Sequence, residues 1–302
     1  MLTVFFMVKS IEAFGQYLRL EKKYSNHTIT AYNNDLVSFR DFVFLRYQQA
    51  TIDDVLYVQI RAWIVELVDQ SLSNTTINRK VASLKAFYKF LLRSKQIKAS
   101  PLATHKALKT PKIIQIPFSE QEMVQVAEVF PKGTDFESVR NQLIVELFYA
   151  TGMRRAELIG LEFKNVDLAS GIIKVLGKRQ KERLLPLLPF LLDSIKRYLA
   201  ARADLETLED SDYFFLTKKG TKLNESLVYR LINSYFSRVS HKLKKSPHIL
   251  RHTFATHLLN NGADLNSVKE LLGHASLAST QVYTHSSLSV LQEVHKKAHP
   301  RG

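Results

Sequence analysis

A chain of 302 residues has room for about two domains of ordinary size. Its composition, 45% hydrophobic and 24% charged, excludes intrinsic disorder, and the absence of cysteine excludes disulfide scaffolds, thiolate metal sites, iron–sulfur clusters and thiol nucleophiles. With 43 Lys+Arg against 28 Asp+Glu, the net charge of +15 draws a polyanion such as nucleic acid or an anionic membrane. Ten glycines and eight prolines are few, which favours helices over a turn-dense β fold. The apolar opening Met1–Lys9 is too short for a signal segment, and no run nears the ~18 apolar residues of a spanning helix. A soluble, intracellular protein without a membrane partner is expected.

Four amphipathic stripes fill the first hundred residues. Ile11, Phe14, Tyr17 and Leu18 mark the first; Tyr32, Leu36, Phe39 and Phe42 mark the second, behind an N-cap in Ser25–Thr28. A third runs from Val58 to Val68 with Asp53 or Asp54 near its start. The fourth carries Ile77, Val81, Leu84, Phe87, Tyr88 and Leu91. Four helices with short connections predict a small bundle over residues 1–98. The fourth helix bears Arg79, Lys80, Lys85 and Lys89 with no acid between Leu72 and Lys98. A solvated face usually mixes signs to gain i,i+4 pairs, so these four cations read as phosphate contacts.

Residues 99–117 read as a basic linker with Pro101, Pro111 and Pro117. Both sides of it are basic, +7 for residues 1–106 and +8 for the remainder, which suits a clamp around a duplex. A second domain, 118–302, opens on the capping-box pattern Ser119–Glu122. A helix with Leu143, Leu147 and Phe148 then ends at Gly152. The strands Ile172–Leu176 and Arg183–Leu187 flank a basic turn, and Pro186 marks an edge strand. The remainder is helical.

Eight of the ten histidines fall between His241 and His299. His248 and His252 stand at i,i+4 as metal ligands could, but Arg251 lies between them and no carboxylate accompanies them, so no metal site is assigned. An anion fits better. Ser246–Pro247 starts a helix in which Arg251 falls inside the apolar stripe of Phe254, Ala255, Leu258 and Leu259, with His248 in the first turn. A guanidinium on an inward face needs a negative partner, and a helix N-terminus already favours a phosphate. Pairing with a distant carboxylate such as Glu157 stays open. In Thr151–Leu158, Arg154 and Arg155 open a helix against its dipole, a placement that a bound phosphate relieves. Asp264 or Asn266 caps a further helix that Gly273 ends, with His274 just beyond; Ser276–Ser279 caps another carrying Tyr283.

Together these segments resemble the tyrosine site-specific recombinases of the phage integrase family, most nearly the bacterial Xer recombinases. The resemblance covers nearly the whole chain. The family's T-G-[LM]-R-x-[SA]-E-L box matches Thr151–Leu158, its hairpin G-K-x-x-K-E-R matches Gly177–Arg183, and its H-x-L-R-H-[ST]-F-A-T-H box matches His248–His257. The L-L-G-H box matches Leu271–His274, and x-x-Y-T-H contains Tyr283. Ile249 is the one local departure. The resemblance implies a mainly α fold, with a four-helix SAM-like core-binding domain ahead of a mostly helical catalytic domain holding a small β-sheet. It implies Tyr283 as nucleophile, Arg154, Arg251, His248 and His274 on the phosphate, and Lys178 as proton donor to the leaving oxygen. Arg155 adds a DNA contact.

The implied reaction is DNA strand exchange through a 3′-phosphotyrosine link and a Holliday junction, with no metal or nucleotide cofactor. The implied partners are double-stranded DNA bearing a recombination site, a homo- or hetero-tetramer on two duplexes, and room for an activating protein. The implied setting is the cytoplasm, at the nucleoid. With one small domain ahead of the linker, chromosome dimer resolution is favoured over a mobile-element integrase or resolvase. Nicking–closing of the type IB topoisomerase kind and non-catalytic helix–turn–helix binding are the other readings. The tail 286–302, with Leu288, Leu291 and Val294 in one stripe, is too short to hold itself as a helix and needs a groove; the resemblance implies that a neighbouring protomer supplies it, with a frayed or self-docked tail as the alternative.

Overall fold

A computed structural model describes residues 9–111, 115–131, 133–177, 182–242, 244–273 and 285–302, the side chains of 9 and 285–288 excepted. The chain is mainly helical and divides into two compact units, Met1–Ile113 and Ile114–Gly302. Among the described residues no helix is long and apolar enough to cross a membrane.

The first unit holds α1 (Lys9–Leu20), α2 (Asn26–Tyr47), α3 (Tyr57–Asp69) and α4 (Asn74–Arg93). Ser25 and Ser73 are the N-caps of α2 and α4; their hydroxyl oxygens accept the Thr28 and Thr76 N–H groups at 3.3 Å. Phe14, Leu36, Phe39, Trp63, Leu84 and Phe87 fill the core, with Phe39 and Trp63 ring centres 5.0 Å apart. Asp53 and Asp54 do not cap α3. Asp53 accepts from Ser10 and Asp54 from Gln49 and Thr51, and the helix has Leu56 as its N-cap, whose N–H is taken by the Gln59 side chain.

Part of the segment expected as a linker lies on this unit. Leu102 is buried in its core, and Asn78 both donates to the Leu108 carbonyl and accepts its N–H, at 2.8 and 2.9 Å. Asn74 adds a bond to the Lys109 carbonyl. Side-chain amides spaced one helical turn apart thus fasten an irregular segment that periodicity could not assign.

The second unit contains α5 (Glu120–Glu128), α6 (Phe136–Thr151), α7 (Arg155–Ile159), β1 (Val166–Asp167), β2 (Ile172–Leu176), β3 (Glu182–Pro186), α8 (Pro189–Ala203), α9 (Glu225–Ser237), α10 (Pro247–Asn260), α11 (Leu265–Leu272) and α12 (His285–Ala298). The expected capping box is present: Ser119 accepts the Glu122 N–H while Glu122 accepts the Ser119 N–H. The three strands pair antiparallel in the order β1-β2-β3, which puts Pro186 on an edge. The two-residue β1 escapes the sequence because it is too short to show alternation. Helix α6 is the centre of the unit; ten of its sixteen residues are buried, and the core closes on both its flanks. Gly152 ends it with φ +59°, where a Cβ would also strike Phe254 and Leu272, so only glycine fits.

The tail is helical and has a seat within the single chain. Helix α12 docks on its own chain, with Leu291 and Ala298 buried beside Phe254 and Leu258. The anchors are two histidines that an apolar stripe cannot reveal. His295 donates from Nε2 to the Ala150 carbonyl at 2.6 Å, and His299 from Nε2 to Tyr149 at 3.2 Å, satisfying orphan carbonyls at the end of α6. Burial pushes these imidazoles down to about 4 and about 3. After burial, repulsion from His295, then from Arg301 and His257, further disfavours a protonated His299.

A pH dependence follows. The unfolded chain protonates both groups near 6.5, well before the folded one, so stability present above that pH is lost as pH falls from 6.5 towards 4. At ~1.4 kcal/mol per tenfold change, His295 contributes roughly 3 kcal/mol to the loss. Urea midpoints measured from pH 7.5 to 4.5 should fall more steeply for the wild type than for His295→Gln. Parallel slopes would remove His295 from the account.

Candidate active site

The site assembles at the C-terminal ends of two helices. Arg251, on α10, is buried and donates to two carbonyls: Nη1 to Gly152 at the end of α6 and Nη2 to Leu272 at the end of α11, each at 2.5 Å. Helix C-termini carry partial negative charge, so they hold the guanidinium without a carboxylate. Burial, then the charges of Arg154 and Arg183, pushes its pKa down to about 10, which leaves it cationic at neutral pH.

Arg154 stands at the N-cap of α7, a little over a third exposed. Its backbone N–H and Nη1 donate to Glu157 at 2.6 and 2.7 Å, and its Nη2 lies 3.4 Å from the Gly273 carbonyl. Glu157 is itself buried and receives a second guanidinium. Arg183, on β3, donates to both its oxygens at 2.5 and 2.7 Å, and through Nε to the Leu271 carbonyl at 3.1 Å. Burial alone would raise the Glu157 carboxyl; the fork and charge of Arg183, with the donors of Arg154, outweigh it and hold the group below the usual carboxylate range. The open alternative for Arg251 is thereby decided: the Glu157 carboxylate is taken by Arg154 and Arg183.

Three consecutive carbonyls, Leu271, Leu272 and Gly273, therefore accept from Arg183, Arg251 and Arg154 in turn. Gly273, at φ +63°, sits where a Cβ would press on the Arg183 side chain. The next residue in the chain is His274. Three guanidiniums share the cluster with one carboxylate, so it holds an excess of positive charge. It faces a cleft of about 400 Å³ whose lining includes Arg154, Arg155, Tyr229, Ser246, His248 and Arg251. His248 is exposed in the first turn of α10, and Arg155 is ion-paired with Glu225 of α9. A cleft with three guanidiniums, one of them ion-paired with Glu225, an imidazole and a helix N-terminus can take a phosphodiester.

Of the six residues expected to act in catalysis, Arg154, His248 and Arg251 come together in this cleft. Lys178, His274 and Tyr283 lie outside the described residues, as does the expected helix behind Ser276–Ser279. In the first unit, Lys85 and Lys89 are exposed on α4, whereas Arg79 and Lys80 are not free of counter-charge as the sequence suggested. Both pair with Asp35, buried on α2, at 2.6 and 3.3 Å. The acid comes from another helix, invisible to a count along α4. Arg183 was missed altogether, although a signal existed. It lies opposite Val175 and shares the inward face of β3 with Leu185, and a charge on an inward face demands a partner.

Known proteins resemble this chain along nearly its whole length. Residues 117–289 match the family described as the phage integrase family, and residues 11–95 match its N-terminal SAM-like domain. The tyrosine recombinase XerC of Chlorobaculum parvum is 37% identical, covering 96% of this chain and 94% of the relative. The tyrosine recombinase XerD of Shewanella oneidensis is also 37% identical, covering 97% of each. Among solved structures, a XerH site-specific recombinase bound to difH substrate superposes with a TM-score of 0.67 at 23% identity, over 94% of this chain and 83% of that one. The Tn1549 transposon integrase, solved with circular intermediate DNA, gives 0.69 at 20%, over 93% and 98%. These two structures speak to the fold alone.

Proposed function

The chain belongs to the phage integrase family of tyrosine recombinases, site-specific enzymes that cleave and religate DNA, and from that premise we propose that it exchanges strands between two recombination sites in the resolution of chromosome dimers. Tyr283 gives up its phenolic proton, relayed by a histidine of the site, and attacks the scissile phosphate; the bond to the 5′-oxygen breaks, leaving a 3′-phosphotyrosine link and a 5′-hydroxyl. Lys178 supplies the proton for that leaving oxygen. Arg154 and Arg251 hold the non-bridging oxygens, where negative charge spreads in the transition state, and His248 and His274 hydrogen-bond the same phosphate. The link conserves the energy of the phosphodiester, so the reverse attack by a 5′-hydroxyl of the partner duplex rejoins the strand. Exchange of all four strands, by way of a Holliday junction, needs four copies on two duplexes, of this chain alone or with a second recombinase.

One observation carries this reading: a buried guanidinium, Arg251, held by two helix C-termini and facing a cleft with Arg154 and His248. The relatives named XerC and XerD, matched over nearly their whole length, support the chromosomal role. The test is a supercoiled plasmid with two recombination sites in direct repeat. Strand exchange yields two smaller circles. Relaxation without deletion would reduce the activity to nicking and closing. A host strain lacking the gene should accumulate dimeric chromosomes; normal segregation would favour a mobile-element role.

Both units are basic, and each should contribute phosphate contacts. Binding to a duplex should weaken steeply with salt, with a log–log slope of about −0.9 per neutralised phosphate. Replacing Lys85 and Lys89 together by Gln should flatten that slope by up to about 2. An unchanged slope would move the DNA contact of the first unit away from α4.

A further inference from the structure

Arg183 is one of three guanidiniums at the carbonyl end of α11, yet it is buried behind Glu157 and does not line the cleft. Its partners are specific. The fork spans both oxygens of Glu157, and Nε reaches Leu271, one residue before the carbonyl held by Arg251 and two before the carbonyl near Arg154. Glu157 accepts from Arg154 as well.

The charges can be assigned from these contacts. If Glu157 had Arg154 as its sole partner, the two would neutralise one another and little attraction would remain for a phosphate. With Arg183 holding both oxygens, the carboxylate is already compensated, and Arg154 keeps its positive charge towards the cleft. The effect is strong because Glu157 and Arg183 are both buried, where charges are poorly screened. We propose that Arg183 is a positioning residue for DNA cleavage: it neutralises Glu157 so that Arg154 stays available to the scissile phosphate, and it fixes the end of α11 from which His274 follows. This rests on the assignment of Arg154 and Arg251 to that phosphate.

A plain structural strut between β3 and α7 would make a different prediction, and a double-variant cycle separates the two. Removing Arg183 leaves a buried, uncompensated carboxylate that draws Arg154 away. Removing the carboxylate's charge as well should undo that harm. A strut offers no such relief, because the second change can only loosen the joint further.

The experiment uses the full chain and single-turnover cleavage of a DNA substrate whose cut end is lost, at saturating protein. Arg183→Met should slow cleavage by about tenfold or more while duplex affinity stays within about threefold of wild type. The double variant Arg183→Met with Glu157→Gln should cleave faster than Arg183→Met, within about threefold of Glu157→Gln alone. Losses that multiply, or Arg183→Met cleaving at the wild-type rate, would overturn the proposal. Should Arg183→Met fail to fold, Arg183→Lys carries the same test. Lysine keeps the charge but offers one point in place of a fork, so cleavage should slow about fivefold and recover with Glu157→Gln. A wild-type rate in Arg183→Lys, or no recovery, is then the overturning result. Arg154→Ala serves as the control for the premise. If that variant cleaves normally, the site assignment fails; if it is slow and the Arg183 variants show no relief, only the role of Arg183 fails.

Discussion

Replacing Tyr283 with Phe is expected to abolish covalent attachment to DNA while leaving duplex binding close to that of the wild type. The change removes one oxygen and no charge, because a phenol with pKa ~10 is only about one-thousandth ionised at pH 7. The guanidiniums of Arg154 and Arg251 would favour the phenolate at the moment of attack. Other tyrosines are poor candidates for physical reasons. Burial pushes the Tyr198 phenol up to about 12, and its hydroxyl donates to the Phe214 carbonyl. Burial raises Tyr149 too, and its hydroxyl is bonded to His257. Tyr229 is the serious rival, since it lines the same cleft and is 45% exposed. The measurement is therefore paired: adduct formation by Tyr283→Phe and by Tyr229→Phe on a substrate whose cut end cannot be rejoined. An adduct that survives the first change and disappears with the second would transfer the nucleophile to Tyr229.

Much of the fold was legible because its signals are local. Ser25, Ser119 and Asp264 cap helices where the sequence places them, and Gly152 and Gly273 stop helices with left-handed backbones. Pro186 marks the edge strand. What escaped is non-local. The acid that pairs with Arg79 lies 44 residues away on α2, so a count along α4 saw only cations. The grip of His295 and His299 on α6 spans 145 and 150 residues, so the seat of the tail in the single chain could not be read from its own stripe. The site divides in the same way. An inward Arg251 was recognisable from the stripe of its own helix, but its partners are carbonyls at the ends of two other helices, which no side-chain pattern announces. Arg183 obeys the same rule on a strand, and applying the inward-charge argument at a period of two residues would have found it.

Arg251→Ala and Arg154→Ala should each slow single-turnover cleavage by about 10²–10³, the usual cost of losing one preorganised donor to a transition-state oxyanion. Their effects on folding should differ, and that contrast gives the experiment its force. Arg251 satisfies the Gly152 and Leu272 carbonyls, which alanine would leave buried and unpaired at a cost of about 1–3 kcal/mol each. Arg154 is more than a third exposed, and its loss leaves Glu157 still held by the fork of Arg183. Arg251→Ala should thus lose both rate and several degrees of Tm, whereas Arg154→Ala should lose rate at nearly constant Tm. Arg251→Lys keeps the charge but cannot span two carbonyls and a phosphate oxygen with one ammonium, so it should fold better than Arg251→Ala and remain well below wild type in rate. Cleavage within tenfold of wild type in both alanine variants would make these arginines structural, and the excess of positive charge around Glu157 would then need another ligand to explain it.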